Sequence, residues 1–258
     1  MLTLSSIPVF LPLYQNSPEL PLLVLMPGMD GTGYLWRSQL PQLETFFDVR
    51  RLQIPAHNLE TWEELSTQVI HLIQQETLGK REVYICGESF GACLALKLAV
   101  RLPNLYHRLI LINPASSFSQ LTWLRWLGQA CKWLPDSLYH FSTLAGLPLL
   151  AALERINHDE RQALLEAVRS VPQTTVAWRI QMLADFQVDA QVLQELQQPV
   201  LVLVGESDRL LPSFKEAQRL QTYLPQAQIV TLPKSGHACM LETGICLNQI
   251  LQKWLKSR

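Results

Sequence analysis

The sequence predicts an α/β fold, a mostly parallel sheet flanked by helices with a helical segment inserted into it. Three observations lead there. Short aliphatic runs alternate with helix-length amphipathic segments along the 258 residues, the pattern of strands joined by helical crossovers. Between Ser116 and Gln198 the alternation stops and no strand pattern appears. Finally, Gly87-Glu88-Ser89-Phe90-Gly91 stands between an apolar run and a helical stretch, where a sharp strand-to-helix turn is expected.

In chain order, strands are expected at Leu22 to Met26, Val49 to Ile54, Val83 to Cys86, Leu109 to Ile112, Pro199 to Val204 and Gln228 to Leu232. Each is a short β-branched or aliphatic run, long enough for a strand and too short for a buried helix. Helices are expected at about Trp62 to Thr77, Ala92 to Arg101, Ser213 to Tyr223 and Leu241 to Lys256, and Pro, Gly or Ser/Thr punctuation bounds three of the four. Residues 1–115 and 199–258 thus form the sheet-bearing core, and residues 116–198 a helical cap. Within the cap, Asn157 suits an N-cap before His158 to Ser170, and Pro172 stands near the start of the next helix.

The turn at Ser89 has the form G-x-S-x-G, in which small residues two places either side let the helix approach neighbouring strands while the serine hydroxyl stands clear of the sheet. Ser89 is therefore the candidate nucleophile, at a helix N-terminus that favours developing negative charge. The bland alternative is a serine that only caps the helix. A serine hydroxyl needs an imidazole base, and the base needs a carboxylate to hold its tautomer. Asp208 follows the strand at Val200 to Val204, and His237 follows the strand at Gln228 to Leu232, both where parallel strands end. Glu206 is the second choice of acid, and His57, in a loop at the same sheet edge, the rival base. Asp185 and Asp189, in the cap, could stand in as acids, although surface carboxylates are commoner.

Acyl transfer also requires donors aimed at the oxyanion, usually the backbone N–H after the nucleophile and one from the loop after an earlier strand. These are Phe90 and Met29, the latter in the glycine-rich loop Pro27-Gly28-Met29-Asp30-Gly31-Thr32-Gly33. Neither G-x-x-x-x-G-K-[ST] nor G-x-G-x-x-G spacing is present, which argues against a nucleotide cofactor.

Composition narrows the function further. Lys+Arg of 21 against Asp+Glu of 22 leaves a net charge of −1, without the electrostatic footprint of a nucleic-acid binder. The five cysteines are odd in number and form no C-x-x-C pair, so neither a disulfide framework nor a zinc site is suggested, and no cofactor is expected. They read as buried small hydrophobes. Charged residues make up only 17% and mean hydropathy is +0.09, oily enough to suit apolar substrates or peripheral contact with membrane lipid. The longest apolar run, Leu144 to Leu153, is too short to span a bilayer and contains Pro148. The N-terminus lacks a signal or transit pattern, so residence in a bacterial cytosol is expected, with membrane association through the oily surface.

In the cap, Leu124, Leu127, Cys131 and Leu134 form one apolar stripe, and Trp123, Trp126, Ala130 and Trp133 a second beside it. Such a helix buries two faces, or buries one and offers the other to an apolar ligand. On the second reading Trp123, Trp126 and Leu127 contact the substrate.

The runs PGMDGTG (Pro27 to Gly33), CGESFGACLAL (Cys86 to Leu96) and INPASSF (Ile112 to Phe118), with GESDRLLP and SGHACMLE further on, resemble the hydrolase-like part of the plant and cyanobacterial phytyl ester synthase/diacylglycerol acyltransferase family. The order Ser89, Asp208, His237 is likewise that of α/β-hydrolases. The resemblance implies an α/β-hydrolase fold and chemistry on fatty acyl esters of lipid alcohols such as phytol or diacylglycerol. Longer members carry a second, acyltransferase-like domain whose H-x-x-x-x-D signature does not occur in these 258 residues. Two functions compatible with the triad follow, ester hydrolysis and acyl transfer to a lipid alcohol; a non-catalytic lipid- or partner-binding module is the reading of another class.

Overall fold

The structure, a computed structural model, describes residues 7–12, 16–77, 81–120 and 146–257. Seven strands form one sheet in the order β1-β3-β2-β4-β5-β6-β7: Val9–Phe10 (β1), Leu22–Met26 (β2), Asp48–Gln53 (β3), Val83–Glu88 (β4), Arg108–Ile112 (β5), Val200–Gly205 (β6) and Ala227–Leu232 (β7). All neighbours are parallel except β1, which pairs antiparallel with β3 through Val9↔Gln53 and Phe10↔Leu52. The six expected strands are found, Leu22–Met26 with both ends as expected and the others with ends shifted by at most two residues. At two residues, β1 is too short to carry a recognisable alternation, so sequence periodicity missed it.

Strand alternation divides the core into two layers. Leu22, Val24 and Met26 face one layer while Leu23 and Leu25 face the other, and Val200, Val202 and Val204 are likewise separated from Leu201 and Leu203. The first layer is closed by α2 (Trp62–Glu76), α3 (Phe90–Arg101) and the helix Ser213–Tyr223; the second by α1 (Leu40–Leu43) and the helix Leu247–Lys256. With both faces covered, these strands are apolar throughout rather than alternating, as parallel sheets require. Helix α2 starts where a capping box fixes it: the Thr61 hydroxyl accepts from Glu64 N–H, and the Glu64 carboxylate accepts from Thr61 N–H.

Two expectations are corrected. Helix α3 starts at Phe90 rather than Ala92, and the expected helix Leu241 to Lys256 divides into a 3-10 turn, Cys239–Leu241, and an α-helix, Leu247–Lys256. Gly244, at φ 89°, turns the chain between them, and the Glu242 side chain leaves any helical role to bond Arg155 and the Gly236 N–H. Cys86, Cys93 and Cys239 are buried as expected, whereas Cys246 is half-buried and its thiol donates to Gln42.

Among the described residues between β5 and β6, the regular elements are helical: residues 146–150, then His158–Arg169, Gln173–Ala184 and Ala190–Glu195. The Asn157 side chain accepts from Glu160 N–H as an N-cap. The Trp-rich segment, including Trp123, Trp126 and Leu127, lies outside the described residues. Among the described residues no helix is long and apolar enough to cross a membrane.

Candidate active site

Strands β2 and β4 are neighbours, with Met26 opposite Gly87, while the chain leaves β2 for β3 on one side and reaches β4 on the other. Their carboxyl ends therefore flank a topological switch point, where open α/β sheets hold ligands. Ser89 stands there at φ 53° and ψ −111°, a strained backbone for a side-chain-bearing residue, with its N–H donating to Ile112 O at 2.9 Å. The elbow closes only around glycines: a Cβ at Gly87 would meet Gly91 O at 2.2 Å, and one at Gly91 would meet Met26 O at 2.4 Å.

The three residues expected to act together are brought together. His237 Nε2 lies 2.9 Å from Ser89 Oγ, and His237 Nδ1 lies 2.8 Å from Asp208 Oδ2. A carboxylate only accepts, so Nδ1 carries the proton it donates to Asp208, and Nε2 is left to accept from the Ser89 hydroxyl. Asp208 is itself held at four points: Oδ1 accepts from the N–H groups of Leu210 and Leu211, at 2.9 and 3.0 Å, while Oδ2 accepts from the Ser213 hydroxyl and from His237. His237 is 5% exposed, so this chain lies out of bulk water.

Burial and charge set the protonation states. Burial favours a neutral Asp208, but the facing imidazole and the hydrogen bonds from His237, Ser213 and Leu211 hold its pKa below the usual carboxylate value. Burial likewise disfavours the imidazolium of His237, yet Asp208 and the charge of Glu88 raise its pKa above the ordinary value overall. Glu88, beside the serine, is pushed up to about 7 by burial and by Asp30 and Asp208, against the opposing pull of His237. Its Oε1 is buried and has no hydrogen-bond partner among the described residues.

The alternative residues are placed elsewhere. Glu206 is exposed and accepts from Lys234 N–H, bracing the loop before His237 without touching the imidazole. His57 is exposed in the turn after β3. Asp189 caps the helix Ala190–Glu195 by accepting from Gln191 N–H, and Asp185 accepts from the Gln181 side chain. Met29 and Phe90 follow β2 and β4 at the carboxyl edge; Phe90 stacks on Trp62 with centroids 4.6 Å apart, fixing the first turn of α3.

Sequence reasoning missed two residues that hold the histidine loop. Asn113, at φ 41° just beyond β5, donates from Nδ2 to His237 O at 2.6 Å and accepts at Oδ1 from Gly205 N–H at 2.8 Å. Glu242 accepts from Gly236 N–H at 2.7 Å and from Arg155. A polar residue closing a strand at the ligand-bearing edge was the one local signal for Asn113; Glu242, in a segment expected to be helical, offered none. The loop lies so close to β6 that a Cβ on Gly205 would meet Gly236 O at 2.3 Å.

A family model described as alpha/beta hydrolase fold matches residues 21–243. The chain belongs to the α/β hydrolase fold family. This hydrolase-fold chain is 30% identical over 259 residues to phytyl ester synthase 1, chloroplastic, of Arabidopsis thaliana, an alignment covering 91% of the chain but only 37% of that relative's length. It is 28% identical over 247 residues to a protein of Stutzerimonas stutzeri (strain A1501) provisionally named carbamate hydrolase RutD, and there 91% of both chains is covered. Among solved structures, MenH from S. aureus superposes with a TM-score of 0.80 at 15% identity, covering 98% of this chain and 99% of the other. At that identity the superposition speaks for the fold. Among the described residues of this α/β hydrolase, no group of three or more His, Cys, Asp or Glu side chains is arranged to hold a metal ion.

Proposed function

We propose that the protein is a serine esterase that cleaves carboxylic esters with a long apolar part through an acyl-enzyme on Ser89. The observation that carries this reading is the unbroken chain from Ser89 Oγ through His237 to Asp208, with the serine on a strained turn at a helix N-terminus. His237 Nε2 takes the hydroxyl proton as Oγ bonds to the carbonyl carbon, and the carbonyl electron pair moves onto oxygen. The N–H groups of Met29 and Phe90 receive that oxyanion. When the tetrahedral species collapses, the C–O bond to the alcohol breaks and His237 returns its proton to the leaving alkoxide. Water then repeats the sequence and frees the acid. The mechanism calls on no cofactor.

On this reading residues 116–198 cap the core formed by 1–115 and 199–258. The oily composition, with 17% charged residues, supports an apolar substrate drawn from membrane lipid by peripheral contact. A second reading puts a lipid alcohol in the place of water, which makes the protein an acyltransferase. The likeness to a protein named phytyl ester synthase supports it, although the chain spans 37% of that relative.

Intact-protein mass spectrometry with p-nitrophenyl esters of rising chain length, with and without phytol or diacylglycerol, tests both. An acyl adduct cleared by water alone is the outcome expected of an esterase. Clearance only with the alcohol present would favour the transferase, and no adduct with any ester would leave a lipid- or partner-binding module.

The charge around His237 adds a pH prediction. Catalysis requires neutral His237, whose pKa is held above 6.5, so kcat/KM should rise with pH along a limb centred above that value. Ionised Glu88 stabilises the imidazolium; removing its charge lowers the pKa of His237. In Glu88→Gln the acid limb therefore moves to lower pH, and the pH profile of kcat/KM measures it. An unmoved limb would mean that Glu88 does not couple to His237.

A further inference from the structure

We propose that Arg179 is a positioning residue of the oxyanion site, a buried cation that fixes the direction of the Met29 N–H from the helix Gln173–Ala184. The inference rests on Met29 serving as an oxyanion donor. Arg179 is 1% exposed, and among the described residues it forms no ion pair. Its guanidinium donates instead to three backbone carbonyls: Met29 O at 2.7 Å, Pro55 O at 3.0 Å and Ile54 O at 3.4 Å. Burial lowers its pKa to about 10 while nearby Asp30 opposes the shift, so it remains a cation at neutral pH.

A buried charge without a facing carboxylate is disfavoured unless oriented dipoles replace its water. Here the dipoles belong to the loops that follow β2 and β3, and one of them is the carbonyl of Met29. Peptide groups are planar, so the Met29 N–H moves with the Gly28 carbonyl, and the Met29 carbonyl belongs to the next plane. The Gly28 carbonyl accepts from Gly31 N–H at 3.0 Å, and the Met29 carbonyl accepts from Arg179. Both planes meeting at the Met29 Cα are therefore held, which removes the backbone rotation that would swing its N–H away from an oxyanion. Gly31 O, in turn, accepts from Ile54 N–H at 2.7 Å, so the loop and its clamp share the end of β3.

The clamp is itself anchored. Trp178 Nε1 donates to Glu60 O at 3.0 Å, and Trp62 Nε1 donates to Met182 O at 2.7 Å, tying the helix that carries Arg179 to the segment entering α2 and to α2 itself. A donor aimed in advance costs no reorganisation when the oxyanion forms. Misplacement of a reacting group by about 1 Å costs about 10²-fold in rate, the loss expected of Arg179→Met.

The test compares wild type, Arg179→Met and Arg179→Gln, with active sites counted by a fluorophosphonate and an alkylboronic acid as inhibitor. The boronic acid adds to the serine and presents a tetrahedral oxyanion, whereas the ground-state ester does not. Expected for both variants is a fall in kcat per labelled site with KM nearly unchanged, and a proportional rise in the boronate inhibition constant. A residue that merely fills space would lower the melting temperature or the labelled fraction, while kcat per site and boronate affinity stayed at wild-type values; that result overturns the inference. The glutamine variant, which leaves a shorter polar donor among the carbonyls, keeps the test if the methionine variant does not fold. Ser89→Ala, run alongside, separates the two readings: if it retains turnover, the serine mechanism itself fails, whereas an inert Ser89→Ala beside a wild-type-like Arg179→Met rejects the Arg179 role alone.

Discussion

Ser89→Ala is expected to fold as the wild type does and to lose acyl-enzyme formation, with kcat falling on the order of 10⁶-fold. The fold should survive because, among the described residues, the hydroxyl bonds only His237 Nε2, and alanine removes that bond without adding volume. The strained φ of 53° is imposed by the close approach of Gly87 and Gly91 rather than by the serine side chain, so alanine inherits the same turn. Catalysis should not survive, because no other nucleophile stands at His237 Nε2 among the described residues. A thermal melt and mass spectrometry after exposure to an activated ester read the two halves of the prediction. A burst of product from a folded Ser89→Ala would remove Ser89 from the mechanism.

Asp208→Asn is expected to lower kcat by about 10⁴-fold with little loss of stability. The amide oxygen can go on accepting from Leu210 and Leu211 N–H, so the turn after β6 keeps its caps. The amide nitrogen then takes the place of Oδ2 and donates toward His237 Nδ1, which selects the tautomer protonated at Nε2. That nitrogen can no longer accept the Ser89 proton, and the imidazolium loses the negative charge that stabilised it. Steady-state kinetics with the preferred ester measures the loss. Turnover near the wild-type level would transfer the acid role, with exposed Glu206 the first residue to examine.

The parts of the site that could be read in advance share one property: each is determined by residues close by in the chain. A glycine two places either side of Ser89 reports a close helix-to-strand approach, and a carboxylate or histidine directly after an apolar run must stand at the end of that strand. Parallel strands point their carboxyl ends the same way, so three such local readings at Ser89, Asp208 and His237 converge without knowledge of any contact. The helix expected from Leu241 failed for the complementary reason, since Glu242 answers to Gly236 and Arg155 rather than to its own helical neighbours.

By itself, then, the sequence determined the six parallel strands, the elbow and the three residues of the hydrogen-bonded chain, because strand, turn and cap preferences act over a few residues. Tertiary structure alone decided how that chain is held. Asn113 meets Gly205 across 92 residues, and Arg179 meets Met29 across 150. Arginine's place at Met29 has no local signature, because a buried cation among backbone carbonyls exists only once separate loops have folded around it, and the same residue on an open helix face would be an ordinary solvated charge.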